Sequence, residues 1–377
     1  MRGGQRLHPF QIGARGNHDR FRAARCTGAT HQQRRQRGAI GGSAPAGEDW
    51  GVTPLLRRTG TALVLLWLVC TLTFVLVHSA PGDAALLLLP PEADAATLAR
   101  LRADLGLDAT LLQQYLRWLG NIARGDLGTS LATGRPVTEA IASGLPVSLG
   151  LGLASLLLTV LIGLTMGSTQ ARRAGTGVDT ALTIVSTTLY SAPTFWLSLA
   201  CVAAVTVGAA SLGIPPAWRL PAFALRDPGV LDPGAAVLDV LRHAVLPVLV
   251  LTATGAAGVA RFARSAMIEA ARGDARRTAL AKGVTDDAAW YRHVVRVALP
   301  SVAALVALSV PGIVAGSVFV EGVFAWPGMG KLLLTAVTQR DHPVILAVTL
   351  IYAAAVIVTN LLTDSVLPLL DARRGRG

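Results

Sequence analysis

The sequence predicts an all-α polytopic membrane protein with six transmembrane helices. Of its 377 residues, 52% are hydrophobic and only 15% are charged, whereas soluble domains carry about 25% charged residues. Its mean hydropathy is +0.52. Six uncharged apolar runs also approach or exceed the roughly 20 residues that a helix needs to cross a bilayer. They are residues 61–79, 147–168, 180–211, 244–260, 297–320 and 344–363.

The third and fourth runs carry signals of how their helices begin and end. The third is longer than one span needs, so Pro193 is expected to start or kink its main segment, because proline removes a hydrogen bond from a helix interior. The fourth run is the shortest, and Arg261 at its end can extend its guanidinium group toward the interface.

The segment between the first two runs, residues 80–146, is too long for a simple connector. Within it, residues 97–107 and 109–123 carry leucines at helical spacing, which predicts two amphipathic helices, with Asp108 as the N-cap of the second. One interpretation is a helical hairpin packed on the membrane surface. The other adds a surface that binds a second protein.

The distribution of Lys and Arg predicts that both termini are cytoplasmic. If the first span starts inside, the inner segments hold fifteen of these residues and the short outer loops hold five. Cytoplasmic loops carry the excess of positive charge, so loop 80–146 lies outside and loop 261–298 inside. The net charge of +12 is therefore mostly a signal of topology, and we expect no nucleic-acid partner.

Residues 1–51 do not fit the rest of the chain. They are rich in Arg, Gly and Gln and have no apolar period, which predicts a disordered extension. They also lack the apolar core of a signal peptide. We hypothesise that translation starts at Val52, since a bacterial GTG start codon read internally gives valine. Residues 52–377 then form the membrane domain.

The sequence offers no signature of an enzyme or a metal site. Cys26, Cys70 and Cys201 are far apart, so they predict neither a metal site nor a disulfide framework. The HExxH and GxSxG patterns of hydrolases are missing from the sequence. So is the phosphate-binding GxxxxGK[ST] loop.

The inner loop 261–298 is predicted to fold as a short helix, a glycine turn and a second helix. Gly283 is expected at the end of the first helix. Asp286 and Asp287 are expected to open the second, where acids interact favourably with the helix dipole. This loop is either a basic surface that rests on anionic lipid, or a surface with small residues that lets another protein approach closely.

The loop resembles the coupling loop of ABC-importer permeases of the dipeptide, oligopeptide and nickel transport family. The residues that carry the resemblance are Arg277, Thr278, Ala279, Leu280, Ala281, Lys282 and Gly283. Leu280 stands where the family usually has Arg. Further segments resemble the family in the same order along the chain: HSAPGD, GDLGTS, SAPTFW, LRHAVLP, EGVFAWPGMGKLL, NLLTD and LDAR. In the last, Ala372 replaces the usual Pro.

The resemblance implies a type I importer fold and a set of partners. This permease would pair with a second permease, usually a distinct chain, over two ABC ATPase subunits that bind ATP and Mg²⁺. An extracytoplasmic solute-binding protein would deliver the solute. This chain would hold no cofactor, and residues 277–283 would couple it to an ATPase. Arg277 and Lys282 would pair with acids of the ATPase or rest on membrane lipid.

The resemblance also implies a solute class and a location. Di- and oligopeptides are the default solutes, with nickel, glutathione or another small solute as alternatives. The protein would be a multi-pass protein of the bacterial inner membrane. An ion-coupled secondary transporter is the rival interpretation, but such a protein needs ionisable groups or broken helices near mid-membrane, and the six apolar runs hold almost no charge.

A few polar residues near the span ends are further candidates. Glu321 with Trp326, Pro327 and Gly328 is expected to shape an outer gate or the solute pathway. Asn360 and Asp364 lie toward the inner end of the sixth span, where ionisable groups are candidates for function. For Asp364 we favour pairing with an arginine over contact with solute.

Overall fold

The computed structural model describes residues 52–79, 94–104, 106 and 108–370. Side chains are described throughout these ranges except at 52–56, 58, 104, 310–316 and 364–370. The chain divides into two compact units, Met1–Arg57 and Arg58–Gly377. The predicted extension 1–51, the HSAPGD end of the first span and the final LDAR segment lie wholly or partly outside the described residues.

The described residues form helices joined by turns, with a single isolated bridge between Thr129 and Pro136. The helices are α1 (Val52–Ser79), α2 (Ala95–Asp104), α3 (Leu111–Ala123), α4 (Val137–Arg172), α5 (Gly177–Ser191), α6 (Thr194–Ala203), α7 (Pro233–Ala271), α8 (Asp274–Ala281), α9 (Asp286–Ala289), α10 (Arg296–Val323), α11 (Met329–Thr338) and α12 (His342–Leu370). A π-helical turn, Ala204–Gly208, extends α6 to Ser211, and a second, Trp290–Val295, joins α9 to α10.

Six helical stretches are long and apolar enough to span a membrane, which confirms the predicted number. They are Thr59–Ser79, Val137–Arg172, Thr194–Ser211, Pro233–Ala271, Asp286–Ser309 and His342–Thr363. The third predicted run is divided as expected: the backbone is extended at Ala192 and Pro193, and α6 begins directly afterwards. α4 and α7 begin earlier than their apolar runs and are 36 and 39 residues long, about 54 and 58 Å.

Small residues allow α4 and α7 to pack closely. A Cβ atom added at Gly163 would lie 2.6 Å from the Cβ of Val259, and one at Gly167 would lie 2.7 Å from the carbonyl oxygen of Ala260. Gly255 packs against Thr159 in the same way, since a Cβ added there would lie 2.8 Å from the Thr159 hydroxyl. Between membrane helices, such close backbone approach supplies the van der Waals contact that the hydrophobic effect does not.

The segment before α4 contains the two predicted amphipathic helices, but the predicted N-cap is wrong. Thr110, not Asp108, caps α3: its hydroxyl accepts the N–H of Gln113, whose side chain accepts the N–H of Thr110. This reciprocal pair satisfies two donors that a helix start leaves free. α3 contacts α1 through a 2.6 Å hydrogen bond between Tyr115 and Thr71, and its Leu112 is 65% exposed.

Candidate functional site

The predicted coupling segment, residues 277–283, lies at the end of one short helix, α8, and in the turn that follows it. α8 begins after Gly273 and ends at Ala281. Gly283 follows at a φ of +81°, and its N–H donates to the carbonyl of Leu280, while the N–H of Val284 donates to that of Ala279. This Schellman motif needs a residue in the left-handed region, which glycine supplies at least cost. The predicted position of Gly283 at the end of the first helix of the loop is confirmed.

Charges and one aromatic ring tie α8 to the residues that follow it, and tie those residues to α4. Arg276 donates to Asp286 at 2.8 Å, and Arg172 at the end of α4 pairs with Asp287. Trp290 is 4% exposed and donates its indole N–H to Ser168 of α4 at 2.9 Å. Asp286 and Asp287 open α9 as predicted. α8 is thereby held against the end of the membrane helices.

The remaining coupling residues form a face that no other described part of the chain covers. Ala279 is buried against the protein. The others are exposed: Arg277, Thr278, Leu280, Ala281, Lys282 and Gly283. This face is basic and has small side chains between its two cations, so it can contact either an acidic protein groove or anionic headgroups.

Glu321, the first of the gate candidates, is fully buried where α10 meets α11. Its carboxyl group accepts the hydroxyl of Ser148 at 2.7 Å and the N–H of Gly330 at 2.7 Å. Ser148 also accepts the N–H of Met329 at 2.8 Å. Together these groups satisfy donors that the first turn of α11 leaves free, so Glu321 and Ser148 fix the corner between three helices.

The other gate candidates form the turn of this corner. Trp326 is 4% exposed and packs with apolar residues of α4, α7 and α10. Gly328 is buried, and a Cβ there would lie 2.4 Å from the Glu321 carboxyl. Pro327 is exposed. Three of the four candidates are thus packed inside the corner, and their role in gating stays a prediction.

Of the two polar candidates of the sixth span, the structure describes the side chain of Asn360 alone. Asn360 is exposed on α12. The side chain of Asp364 lies outside the described residues, so its predicted pairing with an arginine also stays a prediction.

An ion pair that sequence reasoning missed lies between α5 and α7. Arg264 donates two hydrogen bonds of 2.8 Å to the Asp179 carboxylate, one from Nε and one from Nη2. The N–H of Gly175 donates a third bond of 2.9 Å to the same carboxylate. Arg264 and these other donors hold the pKa of buried Asp179 at about 2. The two residues are 85 positions apart, and the only sequence signal was an acid bordering the third apolar run.

A second missed cluster lies at the start of α7. Asp227, Asp239 and His243 place ligand atoms within 4.8 Å of one another, a grouping that a metal ion could bridge. Asp239 already accepts the N–H of Asp227 at 2.7 Å, and the Nδ1 of His243 lies 2.8 Å from the carbonyl oxygen of Asp239. These bonds fasten the preceding loop to α7.

Comparison with known families gives two matches that together cover most of the chain. The family described as binding-protein-dependent transport system inner membrane component matches residues 159–376. A model of the N-terminal part of binding-protein-dependent transport system membrane components matches residues 52–152. The first match alone covers more than half of the chain.

Curated relatives match over nearly their whole length. The chain is 35% identical to the oligopeptide transport system permease protein AppB of Bacillus subtilis (strain 168), over 85% of this chain and 98% of the relative. It is 36% identical to the di/tripeptide transport system permease protein DppB of Pseudomonas aeruginosa (strain UCBPP-PA14), over 85% and 97%. It is 35% identical to the glutathione transport system permease protein GsiC of Salmonella paratyphi A (strain ATCC 9150 / SARB42), over 82% and 94%.

Proposed function

The chain belongs to the family of binding-protein-dependent transport system inner membrane components, and from this premise we propose that it is the permease subunit of an ATP-driven importer of di- and oligopeptides. It is a multi-pass inner-membrane protein. The solute class is supported by the names of its relatives, which refer to oligopeptides, to di- and tripeptides and to glutathione, itself a tripeptide. Each of these relatives matches over 94% or more of its length.

In this proposal α8 is the contact with an ATPase subunit. Its exposed face presents Arg277 and Lys282, which attract acids of a partner, while Thr278 and Ala281 leave room for close approach. Arg276 of α8 is bonded to Asp286, and the next residue, Asp287, pairs with Arg172 of α4. Through these two contacts α8 moves with the membrane helices. A closure of the ATPases is then transmitted to α4, α7 and α10.

The remaining partners follow from the same family. A second permease completes the pathway, and two ATPase subunits bind ATP and Mg²⁺, so that this chain supplies the pathway and they supply the phosphate chemistry. An extracytoplasmic binding protein delivers the solute to the side opposite α8. The excess of Lys and Arg in the segments on the α8 side supports a cytoplasmic position for that side.

Co-purification and uptake test the assembly and the solute class together. The chain, tagged at its C-terminus, is expressed with its neighbouring genes, extracted gently and analysed by mass spectrometry for companion chains. We expect two P-loop ATPases and a second permease. Vesicles that hold this complex with the binding protein should accumulate a labelled dipeptide only with ATP. A chain that purifies alone and moves solute without ATP would refute the proposal and favour a secondary transporter.

Charge reversal tests the docking face. Arg277→Glu with Lys282→Glu should reduce recovery of the ATPases by tenfold or more, or about 1.4 kcal/mol, because two exposed cations that meet acids become repulsive. Arg173→Glu is the matched control, since Arg173 is exposed on the turn after α4, outside the coupling segment. Equal recovery from both variants would mean that the basic face rests on lipid.

A further inference from the structure

A groove of about 750 Å³ lies between the membrane helices, within the range of about 300–1,000 Å³ typical of small-molecule sites. Five helices, α4, α5, α6, α7 and α10, line it. Its polar groups are mostly hydroxyls, including those of Thr159, Tyr190, Thr254 and Ser309, and the one charged side chain among its lining residues is that of Arg261.

Arg261 differs from the arginine one turn further along α7. Arg264 is neutralised by the two hydrogen bonds from its guanidinium to Asp179. Arg261 has no carboxylate partner within the described parts of the chain; its guanidinium carbon instead lies 5.1 Å from the centre of the Tyr190 ring. A cation placed over an aromatic face is held in position without loss of its charge, so it remains available to an anion.

Thr159 is a second sign that the groove takes a polar ligand. This residue is 1% exposed and lies along the groove, and its buried hydroxyl has no hydrogen-bond partner in the described structure. A buried hydroxyl without a partner costs free energy, and a turn of this side chain toward the groove would let a polar ligand supply the missing bond.

Two glycines of α7 at the edge of the groove are in close contact with these side chains. A Cβ at Gly255 would lie 2.8 Å from the Thr159 hydroxyl, and one at Gly258 would lie 3.2 Å from the Tyr190 ring. Larger residues at these positions would press on the two side chains that we connect with a ligand.

We propose that this groove is the part of the solute pathway contributed by this chain, and that Arg261 over Tyr190 binds the carboxylate of the passing solute. The inference rests on the proposed function and adds to it the group that is recognised. A peptide carries a carboxylate for the guanidinium and amide groups for the hydroxyls. Arg261 lies ten residues before α7 ends at Ala271, about 15 Å along the axis, which places it toward the α8 end of the path.

The first experiment asks whether the groove is aqueous and attracts anions. The native cysteines of the assembled complex are replaced by alanine, and Ser309→Cys is added as a reporter in the groove, with Ser211→Cys at the exposed end of α6 as a reference. A negatively charged methanethiosulfonate should modify the groove cysteine about threefold faster than its positively charged analogue, relative to the reference, because a positive site concentrates anions.

Variants of the cation decide whether Arg261 is the cause. Arg261→Gln should abolish the preference and Arg261→Lys should keep it. Arg272→Gln removes a cation at the end of the same helix but outside the groove, so it should leave the preference intact. The proposal would be overturned if neither reagent modified the groove cysteine, as expected if lipid or protein fills the space. It would also be overturned if the preference for the negatively charged reagent survived Arg261→Gln.

The second experiment measures uptake of a peptide with a free carboxylate and of the same peptide as its C-terminal amide. Arg261→Gln should lower uptake of the acid about tenfold, the loss expected for one charge-assisted hydrogen bond, and change uptake of the amide little. Equal effects on both peptides would contradict carboxylate binding while leaving peptide transport standing. If the wild type imports no peptide, the proposed function fails, and the cysteine experiment still decides the nature of the groove.

Discussion

At the scale of single residues, Glu321 shows how an ionisable group near a membrane span can serve structure. The carboxyl group is 0% exposed and accepts hydrogen bonds from Ser148 and Gly330. A buried acceptor with satisfied partners rigidifies a corner, whereas an unsatisfied one destabilises it.

Removing this carboxyl group should therefore act on stability before it acts on transport. Glu321→Ala leaves a half-buried hydroxyl and a buried N–H without their acceptor, and should lower the free energy of unfolding by about 3 kcal/mol. Glu321→Gln keeps one acceptor oxygen and should cost about 1 kcal/mol. The thermal midpoint of the purified protein in detergent checks both values.

Ser148→Ala provides the control for this prediction. If Glu321 acts through Ser148, the variant with both substitutions should lose less stability than the sum of the losses in the two single variants. This is expected for two residues that share a hydrogen bond. An unchanged midpoint in Glu321→Ala, together with altered transport, would instead support the gating role predicted from the sequence.

At the scale of helices, packing of α4 against α7 depends on which glycines face the contact. Gly163→Ala would place its Cβ 2.6 Å from that of Val259, which forces the helices apart and should cost about 1–3 kcal/mol. Gly152→Ala on the same helix is the matched control, since a Cβ there meets nothing within 4 Å. That variant should be neutral or stabilising by up to about 1 kcal/mol. Equal midpoints for the two variants would contradict this packing.

The ion pair between α5 and α7 should make stability depend on pH in the acid range. The pKa of Asp179 is lowered from its ordinary value of 3.8 to about 2, chiefly by hydrogen bonds from Arg264. A lowered carboxyl pKa contributes stability at pH values above the ordinary pKa, and this contribution is lost as the pH falls through the folded value.

The thermal midpoint should accordingly fall as the pH drops from about 4 toward about 2. Asp179→Asn should be less stable at neutral pH and should show a smaller fall over that interval. Asp274→Asn, which alters an exposed acid of α8, should behave like the wild type. If Asp179→Asn shows the full wild-type fall, other carboxyl groups cause it.

The helices also show what the sequence could and could not reveal. The six spans follow from composition, because lipid requires long apolar helices. The early start of α4 does not, since the added turns at Val137 and Ile141 are stabilised by burial against Met329 and Val348. α11 was missed because, with 10 residues, it is too short to span and is held by Glu321 from another helix.

In the candidate site, too, some features could be predicted from the sequence and others could not. Gly283 and the acids at 286 and 287 could be placed from the sequence because caps are local signals. The Asp179–Arg264 pair, the Trp290–Ser168 bond and the groove could not, since each joins segments far apart in the chain. The sequence signals were strongest where a single turn of helix decides the structure.

At the scale of the whole molecule, Trp290 joins the chain that follows α8 to the membrane helices. Its ring is packed in one apolar cluster with Met267 of α7 and Val302 of α10, and its N–H is bonded to Ser168 of α4. A displacement of α8 by a partner would therefore be transmitted through packed residues to α4, α7 and α10, which line much of the groove.

Loosening this link should uncouple transport from ATP hydrolysis. Trp290→Ala removes a buried aromatic ring at a cost of about 3–5 kcal/mol, so the peptide imported per ATP hydrolysed should fall. Trp290→Phe keeps the packing and loses only the bond to Ser168, about 1 kcal/mol, and should couple nearly as well. Peptide uptake and ATP hydrolysis are both measured on the complex in proteoliposomes.

Tyr291→Ala separates the specific contribution of Trp290 from a general effect of removing an aromatic ring from the π-helical turn 290–295. Tyr291 is the next residue but is 60% exposed, so its loss should leave the coupling ratio near that of the wild type. Since Trp290→Phe preserves the fold, a low ratio in that variant would assign the transmission to the hydrogen bond with Ser168. A normal ratio in Trp290→Ala, with the complex intact, would mean that the coupling motion reaches the groove through α7 alone.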